Sequence, residues 1–243
     1  MERLHVRRAF AHALDREGLV KALVNGHGTP ATSIVPPQQW GSVAPKEQVE
    51  GIYAGLRKYP FDLAMAREEL RQSSVPNGCK ASIKYPNSKP QFGKAALNLS
   101  ENLKQIGIDL EVKEITAEQW LADIYAHEDL GLQMLSTGPD NPDPADYPNV
   151  YFASKNAVKN GLNMANYRNP RVDELLQKQE STTDKAVRTA AIGEILKIAS
   201  DDLAYLPVWW EDVAMAISDR LAYRDFNAFW TFQNLGAHVT RSA

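Results

Sequence analysis

The chain has 243 residues, of which 44% are hydrophobic and 23% charged, and these are ordinary values for a globular protein. The net charge of −3 comes without a block of lysines and arginines, so a sequence-independent grip on nucleic acid is not expected. No uninterrupted apolar stretch approaches the roughly 18–20 residues that a membrane-spanning helix needs. The single cysteine, Cys79, excludes an internal disulfide framework and a multi-cysteine zinc site.

The first third of the chain is predicted to consist of helices interrupted by one irregular stretch. Apolar residues at helical spacing predict helices over residues 6–14, 17–24 and 63–72. Asp15 and Asp62 stand at the start of the second and third helices, where a carboxylate accepts backbone N–H groups that a helix leaves free. Residues 29–45 contain four prolines and are therefore predicted to be extended or irregular.

The middle third alternates between strand and helix patterns. Strands are predicted over residues 81–85, 109–115 and 132–135, and helices over residues 95–106 and 117–126. This order is typical of an α/β layer with crossover connections, so the predicted fold class is α/β. Residues 138–144 follow the last strand and contain three prolines, which exclude regular structure. Because ligands of open α/β sheets bind at the carboxyl ends of strands, this segment is a candidate binding loop.

The last third is predicted to hold two helices and a strand. Asn169 caps a helix that begins at Pro170, Asp184 opens a longer helix, and residues 206–217 are apolar and strand-rich. Trp209 and Trp210 are adjacent on this predicted strand and point to opposite faces, so at most one lies in the core and the other lines a cleft or an interface. The aromatic-rich residues 223–232 have no strong period, and their apolar side chains need a partner.

Three carboxylates lie in or beside the proline-rich loop: Asp140, Asp143 and Asp146. Their spacing of three residues, with prolines between them, differs from the alternate ligands and the glycine of an EF-type calcium loop, so calcium is disfavoured. Asp143 and Asp146 suit helix caps and turns. Asp140, held by a proline-stiffened loop at a strand end, suits a counter-charge for a cationic group of a ligand.

No cofactor or metal ion is expected from the other polar residues. His5 and His12 share a predicted helix but lie about 10 Å apart, which is too far for one metal ion. The chain contains none of the common serine-nucleophile or zinc-hydrolase motifs. Gly26-His27-Gly28 continues into Thr-Pro rather than into a glycine-rich turn, so no phosphate-binding loop is predicted.

Five short motifs occur in order along nearly the whole chain. Residues 6–16 match V-R-x-A-x-x-x-A-x-D-R, residues 103–108 match L-K-x-I-G-I, and residues 140–144 match D-[YN]-x-D-P. Residues 163–176 match N-x-x-x-Y-x-N-P-x-V-D-x-L-L, and residues 184–188 with 206–208 match D-x-x-x-R followed by I-P-L/V. In this order they resemble family 5 of the extracellular solute-binding proteins, the peptide-, nickel- and opine-binding receptors of ABC importers.

The resemblance implies a fold and a place within a larger receptor. Members of the family are bilobed, are much longer than this chain and begin with a signal or lipoprotein peptide, and the motifs found here belong to their carboxy-terminal half. Residues 1–220 are therefore expected to form the second ligand-binding lobe, which is periplasmic-binding-protein type II-like, with a mixed sheet flanked by helices. Residues 221–243 are expected to return to the first lobe. The leader would lie outside this chain, and the full-length bacterial protein would be periplasmic or extracellular and anchored at the cell surface.

The resemblance also implies which residues bind the solute. In peptide-binding members the first aspartate of the D-[YN]-x-D-P loop pairs with the α-ammonium group of the peptide, and that residue is Asp140 here. Residues expected to shape the pocket are Thr137, Gly138 and Asn141, with Trp210 as a wall. The family places Gly-Trp shortly before the aspartate, whereas residues 136–138 are Ser-Thr-Gly here. The aromatic wall is therefore missing, and a wider or differently filled pocket is expected.

The favoured function is capture of a small peptide or similar solute between two lobes and its delivery to the membrane permease of an ABC importer, without covalent chemistry. Nickel is disfavoured because no histidine stands where a nickel-chelate contact is expected. Two alternatives stay open. One is a hydrolase that uses Asp140 and Asp143, and the other is an interaction or sensory domain whose aromatic tail and tryptophan pair form a protein interface.

Overall fold

The computed structural model describes residues 2–128, 131–224, 226 and 235–241, which form helices, a three-stranded sheet and two small ladders. The helices are α1 (Glu2–Ala13), α2 (Arg16–Leu23), α3 (Lys46–Ala54), α4 (Leu63–Arg71), α5 (Pro90–Lys104), α6 (Ala117–Ala126), α7 (Asp146–Tyr151), α8 (Pro170–Glu180), α9 (Lys185–Asp202) and α10 (Leu235–His238). The strands are β1 (Gly28–Pro30), β2 (Cys79–Pro86), β3 (Ile108–Ile115), β4 (Leu132–Gln133), β5 (Trp209–Glu211), β6 (Leu221–Tyr223) and β7 (Val239–Arg241). The predicted α/β class is confirmed.

The three-stranded sheet has the order β3–β2–β4, and both strand pairs are parallel. Ile83 of β2 lies opposite Val112 of β3 on one side and Leu132 of β4 on the other. Helices α5 and α6 make the crossover connections that parallel strands require, so the predicted alternation of the middle third is confirmed. Strand β4 is shorter than predicted, and only one further bond, from Met134 N to Lys84 O at 3.2 Å, continues its pairing.

Antiparallel pairing is found in the two ladders, β1 with β5 and β6 with β7. The prediction of strand structure over residues 206–217 is wrong outside β5. The pairing of β1 with β5 covers three residues and ends where Gly28 lies opposite Glu211. Residues after Glu211 therefore have no residue of β1 opposite them. Val213 and Ile217 keep their apolar alternation but are 43% and 39% exposed. Most of the aromatic tail over residues 223–232 lies outside the described residues.

Side-chain caps begin four of the helices as predicted from the sequence. Asp15 accepts from Gly18 N, Asp62 from Ala64 N, Asn169 from Arg171 N and Asp184 from Ala186 N, at 2.8–3.0 Å. Each bond satisfies a backbone donor that the first turn of a helix leaves without a partner. Within the described residues, no helix is long and apolar enough to cross a membrane.

Three of the helices were not predicted: α3, α7 and the four-residue α10. Helix α3 has only nine residues, contains Gly51, and carries a short apolar stripe of Val49, Ile52 and Tyr53. Helix α7 carries Pro148 in its first turn, where the missing N–H is not needed. Residues 29–45, predicted to be extended or irregular, also include β1 and a short 3₁₀ helix over Pro37–Ser42.

The apolar core has two large clusters. The first surrounds α8 and α9 and includes Trp40, Tyr147 and Tyr151. The second lies against the three-stranded sheet and is built from α1, α4 and α5. Met134 packs against the second cluster and Leu135 against the first. The segment after β4 therefore passes from one cluster to the other, and the candidate binding loop begins at this crossing.

Candidate ligand-binding site

The candidate binding loop and the residues that flank it, 136–145 together, connect the carboxyl end of β4 to α7. Residues 136–138 and 140–142 are exposed, whereas Pro144 and Ala145 are buried. Most of the loop is thus exposed to solvent, and its last residues are buried. Its place at the end of a parallel strand is where open α/β sheets bind ligands.

Asp146, the first residue of α7, holds the exposed part of the loop in place. It is only 8% exposed, and its carboxylate accepts from Asp140 N at 2.8 Å and from Asn141 Nδ2 at 2.5 Å. Burial raises the pKa of the Asp146 carboxyl, and the charges of Asp140 and Asp143 raise it further, while the two hydrogen bonds oppose the rise. The sequence predicted Asp146 as a cap and turn former. Its two bonds close a turn within the loop, whereas α7 begins at Asp146 without a side-chain cap.

Asp143 is occupied by a second set of partners. Arg188 Nη2, on α9, lies 2.8 and 2.9 Å from its two carboxylate oxygens. Asp143 Oδ1 also accepts from Ala145 N at 2.9 Å, and Asp143 N donates to Asn141 Oδ1 at 3.1 Å. The carboxylate of Asp143 is therefore an ion-pair partner and a turn former.

Asp140 differs from its two neighbours. Its side chain is exposed, and among the residues that the structure describes its carboxylate takes part in no hydrogen bond and no ion pair. Its backbone N–H, by contrast, is fixed on Asp146. The loop thus presents one carboxylate, at a defined position, to whatever lies outside.

Thr137 and Gly138 lie close to Asp140 in the chain, and two tyrosines donate hydrogen bonds to Thr137. Tyr151 donates to Thr137 Oγ1 at 2.7 Å, and Tyr147 donates to Thr137 O at 3.2 Å. Burial raises the pKa of both phenols above the usual range, so they stay protonated donors at neutral pH. A Cβ atom built on Gly138 would meet no atom within 4 Å, so this position faces open space.

A buried glutamine and an arginine that were not among the predicted site residues support the same loop. Gln39 is 1% exposed, and its Nε2 points toward Asn141 O at 3.5 Å and Asp143 O at 3.4 Å. Its Oε1 has no partner among the described residues. Arg188 had a signal, because it ends the D-x-x-x-R motif, whereas Gln39 had none in a proline-rich segment.

Trp210 lies in another part of the described structure. Its Nε1 donates to Ser33 O at 2.9 Å, and its ring packs edge-on against Tyr53 with centroids 6.1 Å apart. Trp209 packs against the second core cluster, so the two tryptophans do face opposite sides. None of the hydrogen bonds or ring contacts of Trp210 within the described residues reaches the candidate binding loop, whereas Thr137, Gly138, Asp140 and Asn141 lie together.

Two cavities in the described part of the chain can be compared with the predicted site residues. One, of about 460 Å³, lies behind the loop and is lined in part by Asn141, Asp143, Asp146 and Arg188. Of the predicted site residues only Asn141 contributes to it. The other, of about 490 Å³, is lined by none of them. Over the residues described, no group of three or more His, Cys, Asp or Glu side chains is arranged to hold a metal ion.

The loop and the fold agree with a family-level comparison. The family profile described as bacterial extracellular solute-binding proteins, family 5, middle region, matches residues 1–159. The chain belongs to this family. The match covers the parallel sheet and the whole candidate binding loop.

Relatives within the family bind peptides or related molecules, according to their names. The glutathione-binding protein GsiB of Escherichia coli K12 is 29% identical over 236 residues, which are 95% of this chain and 43% of GsiB. A dipeptide-binding protein from Pseudoalteromonas, whose structure was solved with Met-Leu, is 26% identical to this chain and superposes on it with a TM-score of 0.73. The matched region covers 86% of this chain and 39% of the dipeptide-binding protein. The periplasmic binding protein DppA of Helicobacter pylori, solved with the peptide STSA, superposes with a TM-score of 0.75 at 23% identity, over 86% of this chain and 38% of DppA. The chain spans less than half the length of the curated relatives it matches.

Proposed function

We propose that this chain is one ligand-binding lobe of a solute receptor that serves an ABC importer, and that Asp140 binds a cationic group of a peptide-like solute. Residues 1–220 would form the lobe, and residues 221–243 would return to a first lobe outside this chain. The receptor would work outside the cytoplasmic membrane, in the periplasm or anchored at the cell surface, and would deliver its solute to the permease. Family membership and the peptide or glutathione ligands of the relatives support this proposal.

The observation that carries the proposal is the difference among the three loop carboxylates. Asp143 is paired with Arg188 and Asp146 is buried under two donors, so both are occupied by the fold. Asp140 alone of the three is exposed and has no partner in the described structure. A desolvated ammonium group needs a fixed opposite charge, and a carboxylate whose own backbone is anchored supplies one at little cost in entropy.

Thr137, Gly138 and Asn141 complete the pocket in this proposal. Gly138 leaves open space beside the carboxylate, and the hydroxyl of Thr137 is oriented by Tyr151. Trp210 is retained as a wall contributed from another side of the lobe, since its ring is half-buried and fixed by Ser33. A small threonine where an aromatic wall was expected favours solutes that are bulkier near their ammonium group.

The hydrolase alternative is disfavoured by the state of Asp143. The carboxylate of Asp143 binds Arg188 and also accepts from Ala145 N, so it is already occupied by contacts within the fold. It is therefore not free to act together with Asp140 on a bound substrate. The named relatives are binding proteins.

The test is calorimetric titration of the chain with matched peptides, first in its wild-type form and then as Asp140→Asn. Each peptide is used with a free amino terminus and with an acetylated one. We expect acetylation to weaken binding to wild type about tenfold to a hundredfold, as loss of a charge-assisted hydrogen bond does, and to have little further effect on Asp140→Asn. Asp109→Asn, an exposed aspartate on β3, is the matched control. An equal acetylation effect in wild type and Asp140→Asn would show that Asp140 does not bind the ammonium group.

A further inference from the structure

The larger cavity, of about 490 Å³, has an apolar base and a charged rim. Its base includes Phe152, Leu196 and Leu203, which are 2–3% exposed. Its rim includes Lys58 and Phe61, which are exposed. A hollow with buried apolar walls and polar groups that converge on it is the usual form of a small-molecule site.

Arg16 places a cation inside this cavity without a carboxylate to balance it. Its Nε donates to Pro207 O at 2.8 Å, and its Nη1 donates to Ala11 O at 3.1 Å and Tyr59 O at 3.0 Å. Nη2 makes no hydrogen bond and the guanidinium makes no ion pair within the described part of the chain. Burial lowers the pKa of Arg16 to about 10, which is the effect expected of a buried cation whose partners are neutral carbonyl groups.

The two carboxylates that line the cavity form no ion pair with Arg16 in the described part of the chain. Asp15 also lines the cavity, but its carboxylate caps α2 by accepting from Gly18 N at 3.0 Å. Glu17 lies on the exposed rim. Two further cations, Arg57 and Lys58, contribute to the lining, so positive charges outnumber negative ones there.

Arg57 leaves part of its charge available. Its only ion pair among the described residues is to Asp201, at 3.8 Å, and both side chains are more than two-fifths exposed. Such a long, solvated pair is weak and is easily exchanged for another anion. The field at the mouth of the cavity therefore favours an anionic ligand, and the free Nη2 of Arg16 supplies the donor inside.

We infer that this cavity is a second binding site, which takes a small solute carrying one carboxylate and one apolar group. The carboxylate binds Nη2 of Arg16, with Lys58 and Arg57 at the mouth, and the apolar group lies against Phe152 and Leu196. The inference is independent of the proposed role of Asp140, because no residue of the candidate binding loop lines this cavity.

Two probes of nearly equal size test the inference: N-acetyl-phenylalanine and N-acetyl-phenylalaninamide. Both lack an ammonium group, so neither can report on binding to Asp140. We expect the acid to bind the intact chain, by calorimetry or ligand-detected NMR, at least about tenfold more tightly than the amide. Equal binding of the acid and the amide, or no binding of either at millimolar concentration, would overturn the inference.

Variants then locate the binding. Ala199→Leu adds side-chain volume at a position on α9 that lines the cavity, and should abolish binding of the acid. Lys58→Glu reverses one charge on the exposed rim and should weaken binding of the acid but not binding of the amide. The control is Lys94→Glu, which reverses an exposed charge on α5. If Ala199→Leu bound the acid with unchanged affinity, the acid would bind outside this cavity. Arg16→Gln is informative only if its unfolding midpoint shows that it folds, so Lys58→Glu carries the electrostatic part of the test.

Discussion

Replacing Asp146 by asparagine should destabilise the chain by about 1–3 kcal/mol, because one donor in the loop then loses its acceptor. The carboxylate accepts from Asp140 N and from Asn141 Nδ2, one on each oxygen. Asparagine keeps a single acceptor oxygen, and its amide group would face the other donor. Asp140 and Asn141 are exposed, so water can reach the abandoned donor, and the loss should fall in the lower half of this range.

An opposing effect makes the loss depend on pH. The pKa of Asp146 in the folded chain is raised above its unfolded value of 3.8, chiefly by burial, so the folded state binds the proton more tightly. The resulting stabilisation is fully present below about pH 3.8 and is lost as the pH rises through the folded pKa. Asparagine cannot take up this proton. The stability deficit of Asp146→Asn relative to wild type should therefore be larger near pH 4 than near pH 7.

Urea unfolding followed by tryptophan fluorescence measures both effects. Free energies of unfolding are compared at about pH 7 and pH 4.5, with Asp109→Asn as an exposed control. A deficit of about 2 kcal/mol would also lower the thermal midpoint by about 4–8 °C in a chain of this size. A deficit that shrinks on acidification would refute the assigned direction of the pKa shift. Stability equal to wild type at both pH values would show that Asp146 does not hold the loop.

Three further substitutions test packing and capping, each by urea unfolding. Trp210→Phe keeps a ring beside Tyr53 but removes the donor to Ser33 O, and should cost about 0.5–1.5 kcal/mol; no loss would mean that water replaces this bond fully. Leu203→Gly relieves a backbone φ of +49°, which should stabilise the chain by about 1–2 kcal/mol, but it removes a side chain that is 3% exposed, which should cost about 2–5 kcal/mol. A net loss of stability is therefore expected, and a net gain would mean that backbone strain dominates. Asp184→Ala removes the cap of α9 and should cost about 1 kcal/mol, with little change if the first turn is already frayed.

Local signals in the sequence predicted most of the regular structure. Caps such as Asp62 and Asn169 act within three residues, and an apolar stripe or alternation is a property of one element alone. The failure of one strand prediction has a long-range cause. The strand predicted over residues 206–217 had the right alternation, but a strand also needs a partner, and β1 offers only three residues. Partner length is a long-range property that a local pattern does not contain.

The candidate site divides in the same way. A carboxylate at a strand end in a proline-rich loop could be recognised from residues 138–144 alone, and Asp140 was singled out on that basis. Two of the groups that hold the loop were not predicted as such, because they come from distant parts of the chain. Arg188 lies 45 positions from Asp143, and Gln39 lies 104 positions from it. Only the folded chain brings them together.

The arrangement around Asp140 favours binding over catalysis on physical grounds. A receptor gains affinity when the charge that meets its ligand is already in place, because little conformational entropy is then lost on binding. Asp146 fixes the backbone of Asp140, Arg188 fixes the adjacent turn, and both contacts leave the carboxylate of Asp140 itself exposed. Catalysis by two carboxylates requires instead that their proton affinities be separated at one reacting centre, and Asp143 is already committed to an arginine. The loop therefore combines a rigid support with one unpaired charge, which is what capture of a cationic group needs.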